Sequence, residues 1–381
     1  MRVFHDRPYV IADAILNTMG SMQHTFGVRE LIRAGLQDLD KARELLQELQ
    51  DNGVSDDRLQ SLMATLEHSC DPDVALRNLI DIIKALQSQG RRFDDIVTSG
   101  EGLTRLVTVL GVSDEMGKLM RFRPELVAAA ANDACESHLY NHAQRRAHVL
   151  EAVGADPQES AMPKAGLPLS EAATALRQTY RKQLAAIMAQ DAMETDPTTI
   201  QPRISQELSD LADAALEGAL AIARNEIEGS EHVRFTIIGM GKLGAQELNY
   251  VSDVDLIYVV EPADPDTNGM TLNRIGTKLA TTLQRVCQSV IMGVAEPTLW
   301  QIDGGLRPEG KDGPLVRRLE SHEAYYEQWA ENWEFQALLK ARPVAGDPEL
   351  GKAYIDMTRP FVWTASKRDN FVYDCQQMRK R

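Results

Sequence analysis

The sequence predicts a mostly helical protein that carries one small mixed β-sheet, an α+β fold. Three observations lead there. Ala, Leu, Gln, Glu and Arg are plentiful and aromatics are only 6%, a composition that favours helix. Amphipathic segments with apolar residues at helical spacing occupy most of the chain. At His232 the period changes, and the run VRFTIIGMG begins a stretch of short apolar strands.

The chain has 381 residues, enough for a full hydrophobic core and, at roughly 150 residues each, two or three domains. Hydrophobic residues at 43% and charged residues at 25% exclude bulk disorder. A formal charge of −15 argues against a general nucleic-acid-binding surface. No apolar run reaches the length of a membrane span, and the opening residues lack a signal-peptide pattern. Cys70, Cys135, Cys287 and Cys375 lie far apart with no C-x-x-C. Neither disulfides nor a structural zinc site is expected, which fits a reducing cytoplasm.

In chain order, residues from about 10 to 150 read as short amphipathic helices. In LRNLIDIIKAL, Leu79, Ile82, Ile83 and Leu86 share one face. LTRLVTVLG, from Leu103 to Gly111, is short enough for a strand, but its neighbours favour helix. Ser113 offers a helix start after Gly111. Pro157, Pro163, Gly166 and Pro168 mark a long loop from Ala155 to Ser170. Ser170 is then expected to cap a long helix with Leu176, Tyr180, Leu184 and Ile187 on one stripe. A loop around Asp196-Pro197 precedes a helix expected to start at Ser205 and to end before Gly229.

VRFTIIGMG and Val254 to Pro262 read as buried strands, Leu272 to Ile291 as a helix and Thr298 to Asp303 as a third strand. Leu319 to Ala341 reads as one helix. The closing FVYDCQQMRKR looks like a helix without a cap, so the chain is expected to be a piece of a longer one. The expected domains are a helical region at 1–165, a catalytic domain at 166–345 and the start of a further helical segment at 346–381.

The chemistry concentrates between Ile237 and Pro262, in IIGMGKLGAQELNYVSDVDLIYVVEP. Gly239, Gly241 and Gly244 spell G-x-G-x-x-G after a strand, and Glu261 follows about twenty residues on, which formally satisfies a dinucleotide fingerprint. That reading leaves Asp253 and Asp255 without a role. Strand side chains alternate, so these two project from one face, with Val254 and Leu256 on the other. Converging carboxylates repel unless a cation lies between them, and hard oxygen ligands suit Mg²⁺ or Mn²⁺. Such ions can clamp the attacking and leaving oxygens of a phosphoryl displacement. Asp303 closes the third expected strand and is the candidate third carboxylate. The turn Gly241 to Ala245 can offer backbone N–H groups to phosphate oxygens, although Walker A spacing is absent.

Plainer readings stand beside these. A D-x-D at a strand end is often only a solvated turn. Lys242 is a phosphate candidate that also reads as a surface lysine. Arg307 suits phosphate or a carboxylate equally, and Ser252 is carried because it adjoins Asp253. His138 and His142, four apart, lack the Glu of H-E-x-x-H and read as helix-surface residues.

Strand, glycine turn, S-D-x-D, helix and a strand with Asp together resemble the nucleotidyltransferase superfamily typified by DNA polymerase β. Its second turn position is Gly or Ser, where this chain has Ala245 and loses a hydroxyl contact. More narrowly, GMGKLGAQELNYVSDVDLIYV looks like the motif of the bifunctional glutamine synthetase adenylyltransferase/adenylyl-removing family. LSDLADAALEGAL, from Leu208, resembles the helix before that family's catalytic strand. The block from Ile302 to Asp347 resembles the one that follows its third aspartate. Many members carry Arg where this chain has Gly305.

The resemblance implies a polymerase β-like core preceded and followed by helical segments. It implies Asp253, Asp255 and Asp303 as catalytic metal ligands for Mg²⁺ or Mn²⁺. Gly241, Lys242, Gly244, Ala245, Ser252 and Arg307 are the implied nucleotide and phosphate contacts. Glutamine synthetase is the implied protein substrate, with ATP, ADP, AMP and phosphate as small reactants. A PII-type regulatory protein is an implied partner, and nucleic acid and membrane are not. Members carry two catalytic units. Asn249-Tyr-Val-Ser-Asp-Val-Asp after Gly244-Ala245 looks most like the N-terminal one, in high-GC Gram-positive members, which moves AMP from a tyrosine to phosphate and releases ADP. Adenylylation from ATP, a nucleotidyltransferase with another substrate, a nicotinamide-dependent oxidoreductase and a non-catalytic helical scaffold remain as alternatives.

Overall fold

The computed structural model describes residues 26–133, 141–378 and 380. The chain divides into two compact units, Met1–Asn132 and Asp133–Arg381.

The described part of the first unit is helical. It comprises α1 (Val28–Arg33), α2 (Leu39–Asp51), α3 (Asp56–Leu66), α4 (Pro72–Ser88), α5 (Gly100–Val112), α6 (Asp114–Phe122) and α7 (Pro124–Ala128). Short polar side chains start most of them. Asp38, Ser55, Asp71, Ser99 and Ser113 each accept a hydrogen bond from a backbone N–H in the first turn of the helix that follows. Leu79, Ile82, Ile83 and Leu86 are buried along α4, as their spacing implies. The ambiguous run at Leu103 is helical: Leu103, Leu106, Val107 and Leu110 form the buried side of α5.

The second unit holds α8 (His142–Ala152), α9 (Leu169–Met193), α10 (Pro197–Glu226), β1 (Val233–Gly239), α11 (Gly241–Gly244), β2 (Val254–Pro262) and α12 (Gly269–Gln288). It continues with β3 (Ile302–Asp303), β4 (Val316–Arg317), α13 (Leu319–Gln328), α14 (Asn332–Leu338), β5 (Arg342–Gly346), α15 (Pro348–Thr364) and α16 (Phe371–Met378). The sheet runs β3-β2-β1-β5, with β4 also paired to β2. β1 is antiparallel to β2 and β5, whereas β3 and β4 run parallel to β2, so the sheet is mixed. Val233, Phe235 and Ile237 of β1 pack with Leu256, Tyr258 and Val260 of β2 against α9, α10 and α12. Ile238, Ile257 and Val259 face α13, α14 and α15. Burial on both faces is why β1 and β2 read as continuous apolar runs.

Several expected boundaries shift. α10 begins at Pro197, not Ser205. Asp196 caps it by accepting from the Thr198 N–H at 3.1 Å, and Pro197 occupies the first turn, where its missing N–H costs nothing. α9 starts at Leu169 after Pro168 without a side-chain cap, so Ser170 lies inside its first turn. The expected strand from Thr298 shrinks to Ile302–Asp303. The helix expected from Leu319 to Ala341 is broken at Trp329, and Glu331 with Glu334 forms a capping box that starts α14 afresh. β5 is missing from the sequence reading. RPVAG is short and contains Pro and Gly, and only pairing with β1 makes it a strand.

The dinucleotide reading is overturned here. A G-x-G-x-x-G fingerprint serves two parallel strands joined by a long helix, but β1 and β2 are antiparallel neighbours. Glu261 accepts from Arg318 Nε and Nη2, both at 3.0 Å, and from the Leu319 N–H at 2.9 Å, so it anchors the start of α13.

Candidate active site

β2 and β3 bring the carboxylates together. Asp255 and Asp303 are register partners across the parallel pair, so their side chains emerge on the same face. Asp253, two residues earlier, lies on that face just ahead of β2, exposed to solvent. Burial first, and then the facing charges of Asp253 and Asp303, push the Asp255 carboxyl above its ordinary value, while Lys242 pulls it down. Three oxygen donors that repel one another at the edge of a sheet fit a hard divalent cation.

The glycine turn abuts this group. The Met240 N–H donates to the Asp255 carbonyl at 2.9 Å. Gly241 has φ of +54°, a conformation that favours glycine, and a Cβ there would displace the Asp255 carboxylate. At Gly244 a Cβ would strike the Lys340 and Gly239 carbonyls. Lys242 is exposed and Ala245 ends the short α11. Ser252 is half-buried beside Asp253.

Arg307 is turned toward its own loop. Its guanidinium donates to the carbonyls of Gly304 at 2.7 Å, Lys311 at 3.1 Å and Gly313 at 3.1 Å. It therefore shapes the loop after Asp303. In that loop the Gly305 N–H donates to Asp303 Oδ1 at 2.6 Å and orients the carboxylate.

Sequence reasoning missed the side chains that deliver Asp303. Arg177 of α9, 1% exposed, donates to the carbonyls of Val286 at 2.7 Å, Ser289 at 2.7 Å and Glu296 at 2.9 Å. Arg181 holds the carbonyls of Pro297 at 2.8 Å and Thr298 at 2.7 Å. Trp300 Nε1 donates to Tyr180 Oη at 3.1 Å, a further tie between this segment and α9. Two arginines one turn apart on an otherwise apolar stripe were the available signal.

A second cluster was also missed. Among the described residues, the group whose ligating atoms already lie within 4.8 Å of one another is His142, Asp210 and Asp213. Its cation is supplied by the chain: Arg342 grips Asp213 through Nη1 at 2.5 Å and Nη2 at 3.1 Å. We therefore assign no metal there. His142 is exposed on α8, as the surface reading expects, and its Nε2 lies 3.4 Å from Asp213 Oδ2; His138 lies outside the described residues.

The hydrogen bond to Asp213 raises the His142 pKa above its usual value near 6.5, against the effect of burial. A raised value in the folded state stabilises the fold fully below about pH 6.5. That contribution fades as pH rises through the higher folded value. The thermal stability of wild type should therefore fall, relative to that of His142→Gln, as pH rises above about 6.5. Parallel pH profiles of the two proteins would refute the coupling.

Residues 103–356, two-thirds of the chain, match the family model of glutamate-ammonia ligase adenylyltransferase. The chain belongs to this family. It is 73% identical over 352 residues to a bifunctional glutamine synthetase adenylyltransferase/adenylyl-removing enzyme of Bifidobacterium longum (strain DJO10A), a match covering 92% of this chain and 33% of that protein. Proteins of the same name from Cutibacterium acnes and Streptomyces coelicolor are 40% and 38% identical. They cover 92% and 96% of this chain, and it covers 35% and 34% of theirs. The chain thus spans about a third of the length of these adenylyltransferase relatives. The family's expected α+β organisation, helices around a small mixed sheet, is what the chain adopts.

Proposed function

We propose that this unit performs metal-dependent nucleotidyl transfer on glutamine synthetase, removing AMP from its modified tyrosine with phosphate as acceptor. The observation that carries the reading is the alignment of Asp255 with Asp303 across β2 and β3, with Asp253 on the same face and the glycine turn alongside. The direction rests on the likeness of Gly244-Ala245 and Asn249-Tyr-Val-Ser-Asp-Val-Asp to the family's adenylyl-removing unit.

Asp253, Asp255 and Asp303 would hold Mg²⁺ or Mn²⁺. When bound, the cation neutralises charge on the α-phosphate and on the departing tyrosine phenolate. Inorganic phosphate is already anionic, so the chain need not supply a strong base. The first internal bonds of the turn are Gly244 N–H to Met240 O and Ala245 N–H to Gly241 O. The N–H groups of Gly241, Lys242 and Leu243 are those a helix start leaves for an anion. Lys242 and Ser252 would add contacts to the phosphate, and Arg307 contributes by shaping the loop beyond Asp303. The helices of residues 26–133 are assigned to engaging the synthetase or a PII-type regulator. We assign the activity to the cytoplasm; among the described residues no helix is long and apolar enough to cross a membrane.

The test is incubation with AMP-modified glutamine synthetase, Mg²⁺ and phosphate, following ADP. Phosphate-dependent ADP that vanishes in Asp253→Asn is the expected result. Label transfer from ATP to unmodified synthetase, without ADP release in the first assay, would reverse the direction. Silence in both would overturn the substrate.

A further inference from the structure

The segment that follows β1 is tied down from behind, away from the three aspartates. Arg342, at the start of β5, donates through Nη2 to the Leu243 carbonyl at 3.0 Å and through Nε to the Gly244 carbonyl at 3.3 Å. The same guanidinium grips Asp213 of α10 with two bonds, and the Asp213 side chain is fully buried. Gln246, a non-glycine residue with φ of +57°, donates through Nε2 to Asp210 Oδ1 at 3.1 Å. The Leu248 N–H reaches Ser209 Oγ at 3.4 Å, and Lys340 Nζ meets Glu247 Oε2 at 2.7 Å. From Leu243 to Leu248 the segment is therefore fixed to one face of α10 and to the approach to β5.

We propose that Arg342 is a positioning residue for the nucleotide-binding turn, clamping Leu243 and Gly244 to Asp213 of α10 so that the turn's N–H groups stay aimed at a phosphate. The inference rests on the functional reading above for what the turn binds. Its mechanical part stands on geometry alone. A planar fork is needed, because one side chain must reach two carbonyls and both oxygens of a carboxylate at once. A lysine ammonium keeps the charge opposite Asp213 but cannot span all four acceptors. Asp210 and Gln246 form a second, weaker tie on the same helix face.

Arg342→Lys retains the compensating charge and should fold. The charge-neutral pair Arg342→Gln with Asp213→Asn removes both ions together and guards against a folding failure of the first variant. In both, amide exchange at residues 241–248 should rise at least tenfold while that of α10 and β1 stays unchanged. The dissociation constant for Mg²⁺-ATP or Mg²⁺-ADP should rise about tenfold. A folded variant with unchanged exchange in the turn and unchanged nucleotide affinity overturns the proposal. Uniformly faster exchange across α10, β1 and the turn would mean a merely structural role and also overturns it. If the turn loosens but neither wild type nor variant binds nucleotide, the clamp stands and the nucleotidyltransferase reading fails.

Discussion

Asp255→Asn should lower nucleotidyl transfer about 10³-fold or more, the loss that follows removal of a group acting on developing charge. It should do so without lowering the stability of the metal-free protein. Burial and the facing carboxylates of Asp253 and Asp303 hold the Asp255 carboxyl above its ordinary value, so its ionised form is disfavoured in the folded state. A carboxyl raised in this way costs stability above its unfolded value near 3.8, and a neutral amide of the same shape relieves that cost. The melting midpoint of the variant in EDTA should therefore equal or exceed that of wild type. Added Mg²⁺ should raise the wild-type midpoint and leave the variant's nearly unmoved, because only the native site binds the ion. A variant that melts lower in EDTA, or that responds to Mg²⁺ like wild type, would contradict the assignment.

Arg177→Met should destabilise the second unit by about 3 kcal/mol or more. The estimate follows from the carbonyls of Val286, Ser289 and Glu296 losing a buried donor, at about 1–3 kcal/mol each when unsatisfied. The apolar stem is replaced at similar volume, so the loss reports on the guanidinium. Arg177→Lys should recover only part, because an ammonium lacks the fork that spans three acceptors. Urea unfolding measures the effect, and a change below about 1 kcal/mol would show that the loop holds itself. The consequence reaches the site. Residues 289–301 carry the chain from α12 to Asp303, and their register is set by the Val254 N–H donating to Gln301 O at 3.0 Å and the Ile302 N–H donating to Gln288 Oε1 at 2.8 Å. Under conditions where the variant remains folded, it should still transfer nucleotide more slowly, because Asp303 is delivered less rigidly.

Much of the fold was legible because its signals are local. β2 occupies the span read from its apolar run, Val254 to Pro262, and Ser113 caps α6 as its type suggests. The long loop after Ala155 is without regular structure to Pro168, where its prolines and glycine put it. Where reading failed, a stronger local signal was passed over or a distant partner decided. Asp196-Pro197 outranks Ser205 as a helix start, and the break at Trp329 needed the capping box at Glu331 to be recognised. β5 exists only because β1 has an unpaired edge for it. Arg342 looked like any basic residue near a helix end, and nothing in its neighbours announces Asp213, 129 residues earlier.

By itself the sequence determined the helical character, the two central strands and the pairing of Asp253 with Asp255. These depend on periodicity, on turn chemistry and on the alternation of a strand, which act over a few residues. The ordered blocks around the motif pointed to the family by resemblance. Tertiary structure decided the antiparallel pairing of β1 with β2, and with it the loss of the dinucleotide reading. It decided that Asp303 stands beside Asp255, because β3 is only two residues long and takes its register from pairing with β2 and from Gln288, while arginines of α9 hold the segment before it. It turned Arg307 inward to its own loop and brought His142, Asp213 and Arg342 together behind the glycine turn. Buried charges choose partners by proximity in the folded chain, and a linear sequence does not encode that proximity locally.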